Sequence, residues 1–407
     1  MKRIAIKNIC EVYDGPHATP KKTETGPVYL GIDAITEDGM LDSSQFSYLS
    51  KEDYIKWTKR VVPQENDIVF SYEATLGKYA LIPRGFYGCL GRRLAIIRVI
   101  SEKIDAKWLY YYFRSPEWNA FIKNQTVKGS TVDRISVEEF PNYTIPVISL
   151  KNQKKMVAVL EKIDAKIRTN NKINDYLEEM AKTIYDYWFI QFDFPGENGK
   201  PYKSSGGKMS FCNELNREIP QNWNYTSIGN ITICLDSERI PLSNQQREGM
   251  KGSIPYYGAT GIMDYVNRPI FSGNFVLLAE DGSVMDDNGN PILQRVSGDV
   301  WINNHTHVLQ PVKGYSCRLL YLLLKDIPVS IIKTGSIQMK INQANLNNYN
   351  ILSIPDAIRT QFINCVEPLD TKIMQIQQEN NNLIQFRDWL LPMLMNGQAT
   401  IEDCCDK

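Results

Sequence analysis

Residues 149–190 read SLKNQKKMVAVLEKIDAKIRTNNKINDYLEEMAKTIYDYWFI, and their periodicity decides the architecture. Met156, Leu160, Ile163, Ile167, Asn170, Asn174, Leu177, Ala181, Ile184 and Trp188 follow one another in alternating steps of four and three. A seam with that period keeps one face of a helix turned toward a partner helix, as in a coiled coil. Ser149 is placed to cap the N-terminus, and Phe194-Pro195-Gly196 lies beyond the stop. About 40 helical residues at a rise of about 1.5 Å make a rod of roughly 60 Å.

The stretch recurs. Residues 129–189 match 335–395 without a gap at an offset of 206, through Gly129/Gly335, Ile135/Ile341, Asn142/Asn348, Tyr143/Tyr349, Ile148/Ile354, Asp164/Asp370, Asn174/Asn380 and Leu177/Leu383, among others. A solenoid repeats every few tens of residues; an offset of half the 407-residue chain means a duplicated half. The second seam reads Phe362, Val366, Leu369, Ile373, Ile376, Asn380, Leu383, Arg387, Leu390 and Leu394. Two seams of equal length most simply pack against each other, and an antiparallel pair relates the halves by an internal pseudo-two-fold axis. Asn170, Asn174 and Asn380 read as register-setting polar positions, the alternative being a seam that drifts off-axis into solvent. Pro368 stands where the first copy has Lys162, so a kink is expected there, or a separate short helix from Asp356 to about Val366.

About 140 residues of different character precede each helix. Val28-Tyr29-Leu30, residues 67–70, 94–99 and 143–145 read as strands in the first half. Residues 275–278, 306–309 and 349–352 do so in the second, with short helices at 108–113 and 318–325. The expected class is α+β, with two mixed α/β domains separated by a pair of long antiparallel coiled-coil helices. The boundaries are 1–148 for the first domain, 149–192 for its helix, 193–214 for a linker rich in Gly, Ser and Pro, 215–355 for the second domain, 356–396 for its helix and 397–407 for a tail.

Composition removes several classes. With 43% hydrophobic and 23% charged residues the chain reads as globular. The apolar run after Met1 ends at Lys7, short of a signal peptide, and no window reaches the roughly 18 apolar residues of a membrane span. Eight scattered cysteines without a C-x-x-C fit reduced thiols in a cytosol. Net charge is zero, whereas a free nucleic-acid binder usually carries a basic surplus; this counts against tight DNA binding by the chain alone and is compatible with local basic patches or with partners that supply the rest of the phosphate contacts. No phosphate-binding glycine loop and no Pro-Pro dipeptide of an amino-group methyltransferase occurs. His305-Thr306-His307 is read as surface or groove-facing histidines rather than a metal site, and Asp281, Asp286 and Asp287 as a turn, since they lack calcium-loop spacing. No catalytic residue and no metal ligand is assigned.

What remains suits nucleic acid. Lys128-Gly129-Ser130-Thr131-Val132-Asp133-Arg134 and Lys333-Thr334-Gly335-Ser336-Ile337-Gln338-Met339-Lys340 occupy the same place in both copies. Each joins a glycine turn to hydroxyls and a basic residue; such groups suit phosphate oxygens and base edges. Arg92-Arg93 and Asn303-Asn304-His305 precede matching strands and are candidates for the same surface, with solvated strand ends as the alternative. The DNA-binding candidates are Lys128, Ser130, Arg134, Arg92, Arg93, Ser336, Gln338, Lys340, Asn304 and His305.

With this layout in hand, the chain resembles the specificity subunits of Type I restriction–modification systems over nearly its whole length. The resemblance rests on Asp14-Gly15-Pro16-His17, Tyr185-Asp186-Tyr187-Trp188-Phe189, Ile219-Pro220-Gln221-Asn222-Trp223, Tyr256-Tyr257-Gly258-Ala259-Thr260-Gly261 and Leu390-Leu391-Pro392-Met393-Leu394-Met395-Asn396-Gly397, in that order. It implies two target-recognition domains, each reading half of a bipartite site in double-stranded DNA, with the helices setting the spacing and docking methyltransferase subunits. Adenine methylation with S-adenosylmethionine, and cleavage with ATP and Mg by motor-nuclease subunits, would belong to those partners. No cofactor is expected on this chain, and the implied location is a prokaryotic cytoplasm. The competing readings are a fused nuclease or methyltransferase, a recognition subunit of another methylation-based defence system, and an assembly scaffold that reads no sequence.

Overall fold

The computed structural model describes residues 2–36, 38–128, 132–335, 339–395 and 398–399. The chain divides into two units, residues 1–169 with 380–407, and residues 170–379.

In the first unit an antiparallel sheet runs in the order Cys10–Asp14, Leu94–Val99, Ile68–Ser71, Tyr79–Leu81. Ile68, Phe70, Ala95 and Ile97 are buried in it, and the helices Ala106–Phe113 and Pro116–Gln125 add Trp108, Phe113 and Trp118 to the same core. The second unit repeats the order with Thr232–Cys234, Thr306–Pro311, Phe271–Ala279 and Leu293–Ile302, then adds Lys251–Gly258 and Gly261–Val266. The short helix Cys317–Lys325 stands where the first unit has Ala106–Phe113. The strands expected at 94–99, 275–278 and 306–309 and both expected short helices lie within these elements, and 28–30 lies within the strand Thr23–Leu30; those expected at 67–70, 143–145 and 349–352 begin one residue before Ile68–Ser71, Thr144–Val147 and Asn350–Ser353.

The first long helix is Leu150–Tyr185, continued by a π-helical turn through Ile190. Ser149 caps it, its Oγ accepting from the Asn152 N–H at 3.4 Å. At the fourth residue of the helix, buried Gln153 donates to the carbonyls of Lys103 and Ile148, both at 2.9 Å. The second helix begins in the same way: buried Arg359, one repeat on, donates to the carbonyls of Gly314 and Ile354, both at 3.2 Å. Each clamp ties the carbonyl just before the helix to one on a neighbouring loop, and so holds the chain where strand passes into helix.

The seams pack as their period requires. In the first unit Met156, Val157 and Leu160 meet Leu391, Leu394 and Met395; in the second, Tyr185, Trp188 and Phe189 meet Phe362 and Val366. Within each unit the start of one helix therefore faces the end of the other, which is antiparallel pairing. Leu160, Ile163, Ile167 and Ile373 are buried, while Leu177 and Leu383 are half-buried. Asn170 is buried and donates to Glu379 Oε2 across the pair at 2.8 Å, the behaviour of a register-setting position. Asn380 is buried too; Asn174 is half-buried, and its Oδ1 has no hydrogen-bond partner among the described residues.

One alternative is corrected and one segment is more ordered than its composition suggests. The second helix does not break at Pro368: Asp356–Met395 is one α-helix, with Pro368 on an exposed position inside it. Proline removes its own N–H and crowds the carbonyl four residues back; that carbonyl belongs to Asn364, also exposed, where it can tilt outward to take a hydrogen from water. The 193–214 linker carries local structure of its own. Phe194 stacks on Trp223 and Tyr202 at 4.9 and 4.8 Å, Asp193 accepts from the Ser204 N–H at 2.7 Å, and Met209–Cys212 pairs with Arg217–Pro220.

Candidate nucleic-acid interface

The same backbone frame occurs in both units. In the first, the Tyr72 N–H donates to the Arg93 carbonyl (3.1 Å) and the Ile135 N–H donates to the Tyr72 carbonyl (2.8 Å). In the second, the Glu280 N–H donates to the His305 carbonyl and the Ile341 N–H to the Glu280 carbonyl, both at 2.9 Å. One residue further on, Glu73 pairs with Arg134 in an antiparallel bridge, and Asp281 with Lys340. The frame therefore brings three separated segments to one place in each unit: the strand end at 71–73 or 279–281, the turn at 92–93 or 304–305, and the end of the recognition segment at 134–135 or 340–341.

The described candidates lie on or beside this frame. In the first unit Arg92 and Arg134 are exposed and form no ion pair among the described residues, and Lys128 is exposed beside Val127, whose N–H and carbonyl both bond to Arg134. Arg93 Nε lies 3.0 Å from Glu73 Oε1. In the second unit Asn304, His305 and Lys340 are exposed; His305 Nδ1 lies 2.6 Å from Asp281 Oδ1, and Lys340 Nζ lies 2.7 Å from Glu280 Oε1. Ser130, Ser336 and Gln338 lie outside the described residues.

Each unit thus holds a basic ring or guanidinium against a carboxylate, Arg93–Glu73 and His305–Asp281, beside the basic residue of the recognition segment. The carboxylates were missed in the sequence because Glu73 and Asp281 stand 208 residues apart, outside the ungapped 206 repeat. The backbone carries a related signal. Ala74 has φ +70°, where the equivalent Gly282 has φ +76°. That conformation costs a residue with a Cβ about 1 kcal/mol or more. Ala74→Gly is therefore expected to be neutral or to stabilise by up to about 1 kcal/mol in thermal unfolding. A loss of the roughly 0.5–1 kcal/mol usual for an inserted glycine would show that the strain is not felt.

His307 departs from expectation. It is buried rather than groove-facing, with Nδ1 2.5 Å from Asp236 Oδ2 and Nε2 3.0 Å from the Ile341 carbonyl. Alternation along a strand predicts exposure only where one face is wet, and residues 306–309 are buried on both. Cys234, Asp236 and His307 bring their ligand-type atoms within 4.8 Å of one another. The cationic role there is already filled, since the Arg239 guanidinium lies 3.5 Å from Asp236 and 2.7 Å from Glu280. Burial pushes the Cys234 thiol up to about 12, which keeps it protonated.

With the frame established, the comparisons settle the family. Residues 1–179 and 220–385 match the family profile described as the Type I restriction modification DNA specificity domain, and the chain belongs to that family. It is 25% identical to the Type I restriction enzyme MjaIX specificity subunit of Methanocaldococcus jannaschii, over 98% of this chain and 93% of that protein. It is 24% identical to the EcoprrI specificity subunit of Escherichia coli, over 85% of this chain and 82% of that one. The solved S subunit of M. genitalium aligns over 97% of this chain and 95% of its own, at 15% identity and a TM-score of 0.49. No helix among the described residues is long and apolar enough to cross a membrane.

Proposed function

We propose that each unit reads one half of a bipartite site in double-stranded DNA through its recognition segment, and that the chemistry on that DNA is done by partner subunits. The observation that carries this reading is the duplicated frame bearing unlike exposed groups: Arg92, Lys128 and Arg134 in one unit, Asn304, His305 and Lys340 in the other. An identical scaffold with different side chains is what two half-sites of different sequence need. Charged donors at such positions fix register on phosphates or pair with base edges.

The partner surface is proposed from the helices. On the first, Ile173, Tyr176 and Met180 leave an apolar stripe exposed at helical spacing; on the second, Phe386 and Trp389 are exposed and stacked at 6.0 Å. Met180 and Phe386 hold the same repeat position. A large exposed apolar stripe on each of two repeats fits one docking partner per repeat, and methyltransferase subunits are the partners the family implies. S-adenosylmethionine would then be bound by those subunits, and ATP with Mg by motor-nuclease subunits where these join.

The test is half-site resolution. In the complex reconstituted with methyltransferase subunits, Arg134→Ala should weaken the first half-site alone and Lys340→Ala the second alone. Each effect should be about 1–3 kcal/mol if the side chain reads a base, or a drop of about one in the salt slope if it holds a phosphate. Methylation mapped base by base on randomised DNA is the readout. Equal losses at both halves would mean global destabilisation, and a complex that protects no bipartite site would leave an assembly scaffold.

A further inference from the structure

We propose that His307, as a doubly protonated imidazolium, is the positioning residue of the second recognition segment, so that the grip on this segment depends on pH while the grip on its counterpart in the first unit does not. The inference rests on the reading of the second half-site by residues 333–341.

The protonation state follows from what the ring faces. Nε2 lies 3.0 Å from the Ile341 carbonyl, which can only accept, so Nε2 carries hydrogen. Nδ1 lies 2.5 Å from Asp236 Oδ2, and the other Asp236 oxygen accepts the Val308 N–H at 2.9 Å. With the Arg239 guanidinium 3.5 Å away as well, Asp236 is held as a carboxylate, so Nδ1 also donates. Burial works against the charged ring, but it is outweighed by Asp236, the Ile341 carbonyl and Glu280, whose Oε2 is 3.9 Å from Nδ1. The net direction for His307 is upward from its ordinary value of 6.5.

The remaining groups around the ring are accounted for. Arg239 and Lys340 both bind Glu280, at 2.7 Å each, and the Cys234 thiol stays protonated. Two carboxylates therefore face three cations, and loss of the His307 proton takes the cluster from a charge of +1 to zero. It also removes a donor, so either the Ile341 carbonyl or Asp236 loses its ring contact. Ile341 adjoins Lys340 in the chain, so the residue proposed to touch DNA is held through this clamp.

The first unit supplies an internal control. Its strand position equivalent to His307 is Ala95, because Phe70 pairs with Ala95 as Leu278 pairs with His307. Ile135 there lies in an apolar cluster with Phe70 and Phe140, and Ala95 offers no titratable group in the place of His307.

The sign follows from linkage. A group whose folded pKa is raised contributes fully below its unfolded value, near 6.5, and the contribution is lost as pH rises through the folded value. Hydrogen exchange on the full chain in its methyltransferase complex tests this, with rates corrected for the intrinsic pH dependence. As pH rises through the titration of His307, protection at 339–341 should fall by about tenfold relative to 132–135, the scale of one hydrogen bond to a charged group. His307→Gln, which donates without titrating, should abolish the difference. Parallel behaviour of the two segments, or a ring found neutral at pH 7 by its nitrogen shifts, overturns the clamp and leaves the half-site reading untouched. Loosening at 339–341 with no loss of second-half-site affinity overturns that reading instead, and the positioning role with it.

Discussion

Arg318→Ala is expected to destabilise the second unit by about 3–5 kcal/mol, the range for removing one partner of a buried ion pair. Arg318 is 0% exposed. Its Nη1 lies 2.5 Å from Glu178 Oε2 on the first long helix, and its Nε lies 3.1 Å from Asp370 Oδ1 on the second. Arg295 closes the ring from the sheet, with Nη2 2.8 Å from Glu178 and a close pair to Asp370, and both guanidiniums face Tyr321. Four charges from four elements thus fasten the sheet and its short helix to both long helices within this unit. Alanine leaves two carboxylates, one of them buried, to share a single arginine. Arg318→Met keeps most of the stem volume, and it should recover little of the loss if charge rather than packing is at issue.

The pH dependence separates that explanation from simple cavity formation. Burial pushes the Glu178 carboxyl up, but Arg318 and Arg295 outweigh it and hold the group below its ordinary 4.5. A depressed carboxylate contributes above its unfolded pKa, and the contribution is lost as pH falls through the folded one. Urea unfolding at neutral pH should therefore show the full gap between wild type and Arg318→Ala, and the gap should narrow below about pH 4. A gap that stays constant into acid would assign the loss to packing. The first unit does the same work more cheaply: Asp164, the repeat equivalent of Asp370, takes Arg387 Nη1 at 2.9 Å and the Tyr111 hydroxyl at 2.6 Å. An arginine in an apolar seam, which reads in the sequence as a flaw, is there the partner of a carboxylate on the facing helix.

The helices, their pairing and the positions of the strands were legible because each rests on a periodicity that one sequence displays: 3.5 for the seams, 206 for the repeat. The candidate site was legible only in its basic half. Arg93, Arg134, His305 and Lys340 could be found from the repeat and from strand ends, but Glu73, Asp281, Glu280 and Asp236 gain meaning only when three distant segments meet. The burial of His307 was invisible for the same reason, since the strand carrying it is covered on both faces by residues far away in sequence. Pro368 misled because a proline's cost depends on whether its side of the helix is wet, which the seam phase hinted at without deciding. The local order of the Gly- and Ser-rich 193–214 segment was not legible from its bulk composition, because it rests on two aromatic rings, Phe194 and Tyr202.

Lengthening both helices by one heptad is expected to lengthen the unread gap between the half-sites and leave the half-site bases unchanged. Leu150–Tyr185 and Asp356–Met395 are unbroken helices of 36 and 40 residues. Seven residues add about 10.5 Å, close to three base pairs at about 3.4 Å each. The insertions must face each other, or the seams slip out of register. The Asn170–Glu379 hydrogen bond marks facing points, so the heptads belong between Thr169 and Asn170 and between Glu379 and Asn380, which keeps that bond within its unit. An insertion in one helix alone should fail: a heptad keeps the seam's phase, but every residue beyond it meets a partner one heptad, about 10.5 Å, out of register. Three added base pairs also turn the duplex through roughly 100°, so affinity should fall with one heptad. It should recover with three, whose roughly 31 Å approaches a full turn of about 34–36 Å. Methylation mapping of the three complexes decides the matter. Altered half-site bases, or a gap that ignores helix length, would show that the helices do not set the distance between the two reading events.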